Sequence, residues 1–171
     1  LVQQARHVWA TSTIYEAYPE KKEFVGYAEQ GFRFLRDAMW DKEYGGFHTF
    51  THAEGTPALK NGGRKLVYGQ SFALYGLAQN YLVSGDPDAL ELAKKGFMWM
   101  EQHAHDLEHG GYFEFMERAG PVIPDPGENE DLSSHPGLGL KDYNSSIHVM
   151  EGLTNLYRVW PDSLLRVRLE E

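Results

Sequence analysis

Cysteine is absent from this 171-residue sequence. That absence removes disulfides, thiolate metal sites and cysteine nucleophiles together. No apolar run approaches the length of a membrane span, and the opening residues do not read as a secretory signal. Positive charge is also scarce, with 16 Lys and Arg against 25 Asp and Glu, a net charge of −9. Nucleic acids and anionic membrane surfaces both need clustered Lys and Arg, so neither is an expected partner. A soluble, cytoplasmic protein is the expectation. What is present is core material: 42% of the residues are hydrophobic and 13% aromatic, enough for a single domain over 1–171.

The sequence repeats itself. Ala28-Glu29-Gln30-Gly31-Phe32 recurs as Ala93-Lys94-Lys95-Gly96-Phe97, an offset of 65. In the same register, Asp41 to Phe50 matches Asp106 to Phe115, and Leu1-Val2 matches Leu66-Val67. Each unit reads as helix, turn, helix and short strand. The first helices are expected over 1–17 and 66–84, apolar at three- and four-residue spacings, and the second over 20–39 and 88–105. Pro19-Glu20 and Gly85-Asp86-Pro87 supply the turns between them. A double glycine then breaks each second helix, and Phe47/Thr49 and Tyr112/Glu114 alternate as strand edges do.

A third unit follows the polar, Pro- and Gly-rich stretch 119–139. Its first helix is expected over 144–159, matching the second unit at an offset of 76: Gly76-Leu77 with Gly152-Leu153, and Tyr81 with Tyr157. Helical hairpins repeated in this way stack into a solenoid or close into a toroid. The aromatic-rich first helices favour a closed inner ring. Leu1 already lies inside an amphipathic pattern, and 162–169 reads as a helix just begun. Both stripes predict partner chain on either side.

Superimposing the units places long polar side chains near the start of each inner helix. Arg6 falls level with Ser71, and Tyr68 and Gln70 precede it by a turn. Asn144 aligns with Tyr68, and His148 with Phe72. Arg offers a fork of donors, Asn and Gln donate and accept, and Tyr adds a ring face to a hydroxyl. That mixture suits a sugar, whose hydroxyls want hydrogen bonds and whose C–H faces want aromatics. Taken singly, each residue has a plainer reading: Arg6 as solvated, Tyr68 and Gln70 as packing, Asn144 as a helix cap, His148 as a core residue. As a set in matching positions they favour a shared pocket. Glu151 joins them, because Asn144, His148 and Glu151 share a helix face.

Metal ligation is the weaker reading and none is expected. His148 and Glu151 lack a third ligand, and His103, His105 and His109 cluster at a helix end without a partner set. The acidic run 128–131 lacks the glycine and spacing of a calcium loop and is expected to be solvated.

The segment from Lys141 to Asp162, which carries Asn144, His148 and Glu151, resembles the N-acylglucosamine 2-epimerase family, which includes cellobiose 2-epimerase. The segments Ala5-Arg6-His7-Val8-Trp9, Tyr68-Gly69-Gln70-Ser71-Phe72-Ala73-Leu74-Tyr75 and the Asp106 to Tyr112 turn are similar to it as well. The resemblance implies an all-α (α/α)6 toroid, of which this chain is the N-terminal part. It implies inversion at carbon 2 of a reducing sugar, or in some members aldose–ketose isomerisation, without a cofactor. It places Arg6, Tyr68, Asn144 and His148 in the sugar site, with Arg6 and His148 as the catalytic candidates; Gln70, from the repeat alignment, and Glu151, from its helix face, are further expected contacts. It also implies that the two principal catalytic histidines lie in the second half of the fold, where this chain has no counterpart. A mono- or disaccharide is then the expected partner, with a homodimer left open.

Two other functions use the same pattern. A glycoside hydrolase on the same toroid needs two carboxylates, drawn from Glu43, Glu108, Glu114 or Glu151. A non-catalytic helical-repeat module needs only a broad groove.

Overall fold

Three helix starts in this chain follow capping aspartates. In this computed structural model, which describes residues 1–124 and 141–171, Asp86 precedes helix α4 (Pro87–His103) and accepts a hydrogen bond from the Asp88 N–H, with Pro87 in the first turn. Asp142 caps α5 (Tyr143–Val159) through the Ser145 N–H, and Asp162 caps α6 (Ser163–Glu170) through the N–H groups of Leu164 and Leu165. The cap of α5 is therefore Asp142, and Asn144 lies inside the first turn. Helix α3 (Val67–Ser84) stops at Gly85, whose φ of 68° suits the left-handed C-cap that glycine adopts without strain. The acidic run 128–131 lies outside the described residues.

The first hairpin pairs α1 (Val2–Ala17) with α2 (Glu23–Phe34). The expected second helix is thus three residues shorter at its start. Its last turn, Leu35–Met39, is a wider π-turn that swings Trp40 onto Phe47 with ring centroids 5.0 Å apart.

The expected strands are displaced. Phe47 and Tyr112 make only single antiparallel bridges, to Trp40 and His105. Each double-glycine turn folds the chain straight back onto the end of its own outer helix, which leaves room for one bridge. The ladder that forms joins β1 (Lys65–Leu66), the lead-in to α3, to β2 (Phe115–Met116), with Leu66 opposite Phe115.

Helices α1, α3 and α5 lie side by side as an inner row, and α2, α4 and α6 back them. Glycines make this close approach possible at equivalent positions. A Cβ on Gly76 would lie 2.6 Å from the Ala5 carbonyl oxygen, and one on Gly152 would lie 2.6 Å from that of Ser71. Between the rows, a Cβ on Gly31 would meet Val8, and one on Gly96 would meet Leu74. Phe32 and Phe97, one repeat apart, are both buried in the core with Leu74, Leu77, Met100, Leu153 and Leu156. Burying each such side chain stabilises the fold by roughly 1.5–3 kcal/mol. Among the described residues, no helix is long and apolar enough to cross a membrane.

Candidate functional site

The starts of the inner helices meet around one aromatic ring, Phe72 on α3. From α1, the Arg6 guanidinium lies over that ring, 5.9 Å from its centroid. From α5, the His148 imidazole packs against it at 4.5 Å. Tyr68, one helical turn before Phe72, stands edge-on to both, with centroids 5.1 Å from Phe72 and 5.1 Å from His148. Asn144 is one turn before His148 on the same face of α5. Four of the residues anticipated for the site, Arg6, Tyr68, Asn144 and His148, therefore stand near one end of the inner row. Arg6 is exposed, and the other three are half-buried.

Glu151 joins them through His148. The His148 Nδ1 donates to Glu151 Oε2 at 2.8 Å, an i to i+3 pair on α5. A carboxylate on Nδ1 holds the proton there and leaves the ring's lone pair on Nε2. Tyr75, one turn after Phe72, borders the same group. Its hydroxyl is held above the usual tyrosine range first by burial and then by the Glu151 charge, with Arg6 opposing. Trp9, one turn after Arg6, stacks on Tyr75 with centroids 4.8 Å apart.

Gln70 behaves differently. It is fully buried, its side-chain oxygen accepts from the Phe47 N–H at 2.8 Å, and its amide donates to the Phe47 carbonyl at 2.9 Å. Both ends of the side chain are thus spent on the turn segment behind α3. Gln70, expected as a substrate contact, fastens that segment and is not among the residues gathered around Phe72.

Three aromatics belong to the site that the polar alignment alone did not select: Trp9, Phe72 and Tyr75. The signal for them is their spacing. Tyr68, Phe72 and Tyr75 follow one another at four and three residues along α3, and Trp9 is three residues after Arg6 on α1. Such stripes read equally as core, and only the packing distinguishes the two. The histidines at the end of α4 do not converge on this site. His105 pairs with Glu171, and His109 is exposed beside Asp106 and Glu108.

A sequence profile of the N-acylglucosamine 2-epimerase family matches residues 1–114. The chain belongs to that family. Its curated relatives include cellobiose 2-epimerase of Bacteroides fragilis, 33% identical over 96% of this chain and 40% of the relative. The solved cellobiose 2-epimerase of Spirochaeta thermophila superposes with a TM-score of 0.85 at 32% identity, over 99% of this chain and 40% of that one. This family member therefore spans about two fifths of the length of the relatives it matches. Its three hairpins are a partial (α/α)6 toroid, and the inner row is part of the toroid's inner ring. A family 76 mannosidase of Bacteroides thetaiotaomicron has the same fold at a TM-score of 0.65 and 15% identity, a likeness of fold alone.

Proposed function

We propose that the inner-helix starts form one wall of a sugar cavity, and that the protein carrying this chain is a 2-epimerase of reducing sugars of the cellobiose type. The observation that carries this reading is the meeting of Arg6, Tyr68 and His148 around Phe72. Guanidinium, imidazole, carboxamide and phenol groups bordering an aromatic surface match what a pyranose presents: hydroxyls in a ring around apolar C–H faces.

The chemistry follows from the carbonyl of the open sugar. A proton at carbon 2 is acidified because its charge spreads into an enediolate. A neutral imidazole can take that proton, and a second can return one to the opposite face. Arg6 stabilises the enediolate oxygens as charge develops on them. His148, oriented by Glu151, holds the sugar oxygens and assists ring opening. The acid–base pair at carbon 2 comes from chain beyond these three hairpins. Aldose–ketose isomerisation would use the same intermediate, with the proton returned to carbon 1.

The glycosidase reading has less support. It needs two carboxylates across a glycosidic bond. Glu43 and Glu108 are exposed in the equivalent turns, Glu114 is buried on the Tyr68 N–H, and Glu151, which borders the Phe72 cluster, is already bonded to His148.

Incubating the full-length protein with cellobiose in heavy water tests the proposal. Deuterium at carbon 2 together with the epimeric product is expected. Cleavage of the glycosidic bond without label supports the hydrolase, and neither reaction leaves a binding module.

A further inference from the structure

The start of α3 is flanked by a β-hairpin, 115–123, which folds as its counterpart 50–58 does one repeat earlier. The closing bond runs from the Ile123 N–H to the Phe115 carbonyl at 2.9 Å, and from the Ala58 N–H to the Phe50 carbonyl at 3.0 Å. Inside it, Glu117 and His52 donate to the carbonyls of Pro121 and Thr56, and Gly120 and Gly55 donate to those of Glu117 and His52. The single bridges match too, Met116 to Val122 and Thr51 to Pro57. Each turn depends on its glycine, whose φ is 113° at Gly120 and 91° at Gly55.

The two hairpins carry different cargo. Leu66, Phe115 and Ile123 form a small buried cluster, and Tyr68 packs against it. At the offset of 65, Leu1 and Phe50 repeat Leu66 and Phe115, but Ala58 stands at the place of Ile123 and Gln3 at that of Tyr68. The larger aliphatic therefore occurs in the unit whose inner helix brings an aromatic to the site. The same Tyr68 ring stands edge-on to His148 at 5.1 Å, so it meets the hairpin's apolar side chains as well as the imidazole. The hairpin is anchored at its turn. Arg118 donates to both carboxylate oxygens of Asp41, at 2.8 and 3.0 Å, and Lys65 donates to the Arg118 carbonyl at 2.8 Å. A cluster on so anchored a hairpin is a fixed backing for the ring.

We propose that Ile123 is a positioning residue: it completes the apolar backing that holds the Tyr68 ring against His148. The proposal rests on the sugar-site reading above and goes beyond it, since Ile123 acts through the ring it backs. Alanine there, the residue of the first unit, leaves a void in the cluster. Tyr68 then has room to tilt away from His148, and a displaced contact group costs rate through lost orientation.

Steady-state epimerisation of cellobiose by the full-length protein tests this, in a double-mutant cycle with Tyr68→Ala. Ile123→Ala is expected to lose about tenfold in kcat/KM when Tyr68 is present, and less than about twofold in the Tyr68→Ala background. Ile123→Val, which keeps the branched shape, is expected to stay within about twofold of wild type. A merely structural role lowers the unfolding midpoint in both backgrounds but does not make the kinetic loss depend on Tyr68. A folded Ile123→Ala with unchanged kcat/KM, or a tenfold loss that persists in the Tyr68→Ala background, overturns the proposal. If Ile123→Ala does not fold, or Tyr68→Ala has no measurable turnover, Ile123→Phe decides. Overfilling the cluster displaces the ring, so a loss of about threefold or more in kcat/KM is expected, and no loss overturns the proposal. A wild type that epimerises no sugar defeats the functional reading itself, and the positioning role with it.

Discussion

Lys65 and Lys141, 76 residues apart, make the same reach. Each ammonium bonds the carbonyl of the first glycine in the preceding turn, Gly45 or Gly110, and the aspartate that opens it, Asp41 or Asp106. Both turns are built alike. Each aspartate accepts from the N–H groups two and three residues on, and both glycine pairs have φ between 67° and 71°. The brace ties α3 and α5 each to the turn of the unit before it.

The two braces differ in depth, and so should their mutants. Lys65 and Asp41 have 0% and 1% side-chain exposure, whereas Lys141 is 32% exposed. Lys65→Met is expected to cost about 3 kcal/mol, the low end for breaking a buried pair, because Arg118 still bonds Asp41. Lys141→Met is expected to cost about 1 kcal/mol or less. Urea unfolding of the two variants checks the ordering.

Acid should act on the same brace. Burial alone would raise Asp41, but the bonds from Arg118, Lys65 and the Glu43 N–H outweigh it and hold the carboxyl well below its ordinary 3.8. The stability it contributes is complete above that value and is lost as pH falls below it. In Lys65→Met this acid-dependent loss is expected to shrink, as read from unfolding midpoints between neutral and acid pH.

Glycines in helices usually tolerate alanine, and here the sign should depend on position. Gly76→Ala and Gly152→Ala each put a methyl 2.6 Å from a backbone oxygen that cannot step aside, so a loss of about 1–3 kcal/mol is expected despite better helix propensity. Gly26→Ala, in α2 with nothing within 4 Å, should gain about 0.5–1 kcal/mol. Thermal unfolding of the three variants separates the cases.

Around Phe72, Arg6→Lys keeps the charge but loses the planar fork, and about a tenfold loss in kcat/KM is expected with little change in stability, since Arg6 is exposed. Glu151→Gln removes the carboxylate from His148 Nδ1, and a loss mainly in kcat is expected. Steady-state kinetics with cellobiose, beside unfolding curves for each variant, distinguishes these effects from misfolding.

Much of the architecture was legible because the repeat is written in residues with narrow conformational roles. The aspartate, the paired glycines and the aromatic after them recur at one offset, and the structure gives them one conformation. Pro87 marked one outer-helix start, whereas the start of α5 was read one residue late, with Asn144 in place of the true cap Asp142. The strands were misplaced because alternation over two or three residues does not say which neighbour will pair. The grouping of Arg6, Tyr68 and His148 could be read from repeat alignment, whereas Gln70 could not be sorted from them. Its neighbour in space, Phe47, is 23 residues away, and only packing shows that its amide is already used.

The most direct test of the shared cavity is a crystal structure of the full-length protein with cellobiose bound. The account places the reducing sugar within hydrogen-bonding distance of both the Arg6 guanidinium and His148 Nε2, beside Tyr68. A sugar bound elsewhere, with Arg6 and His148 both facing solvent, would contradict it.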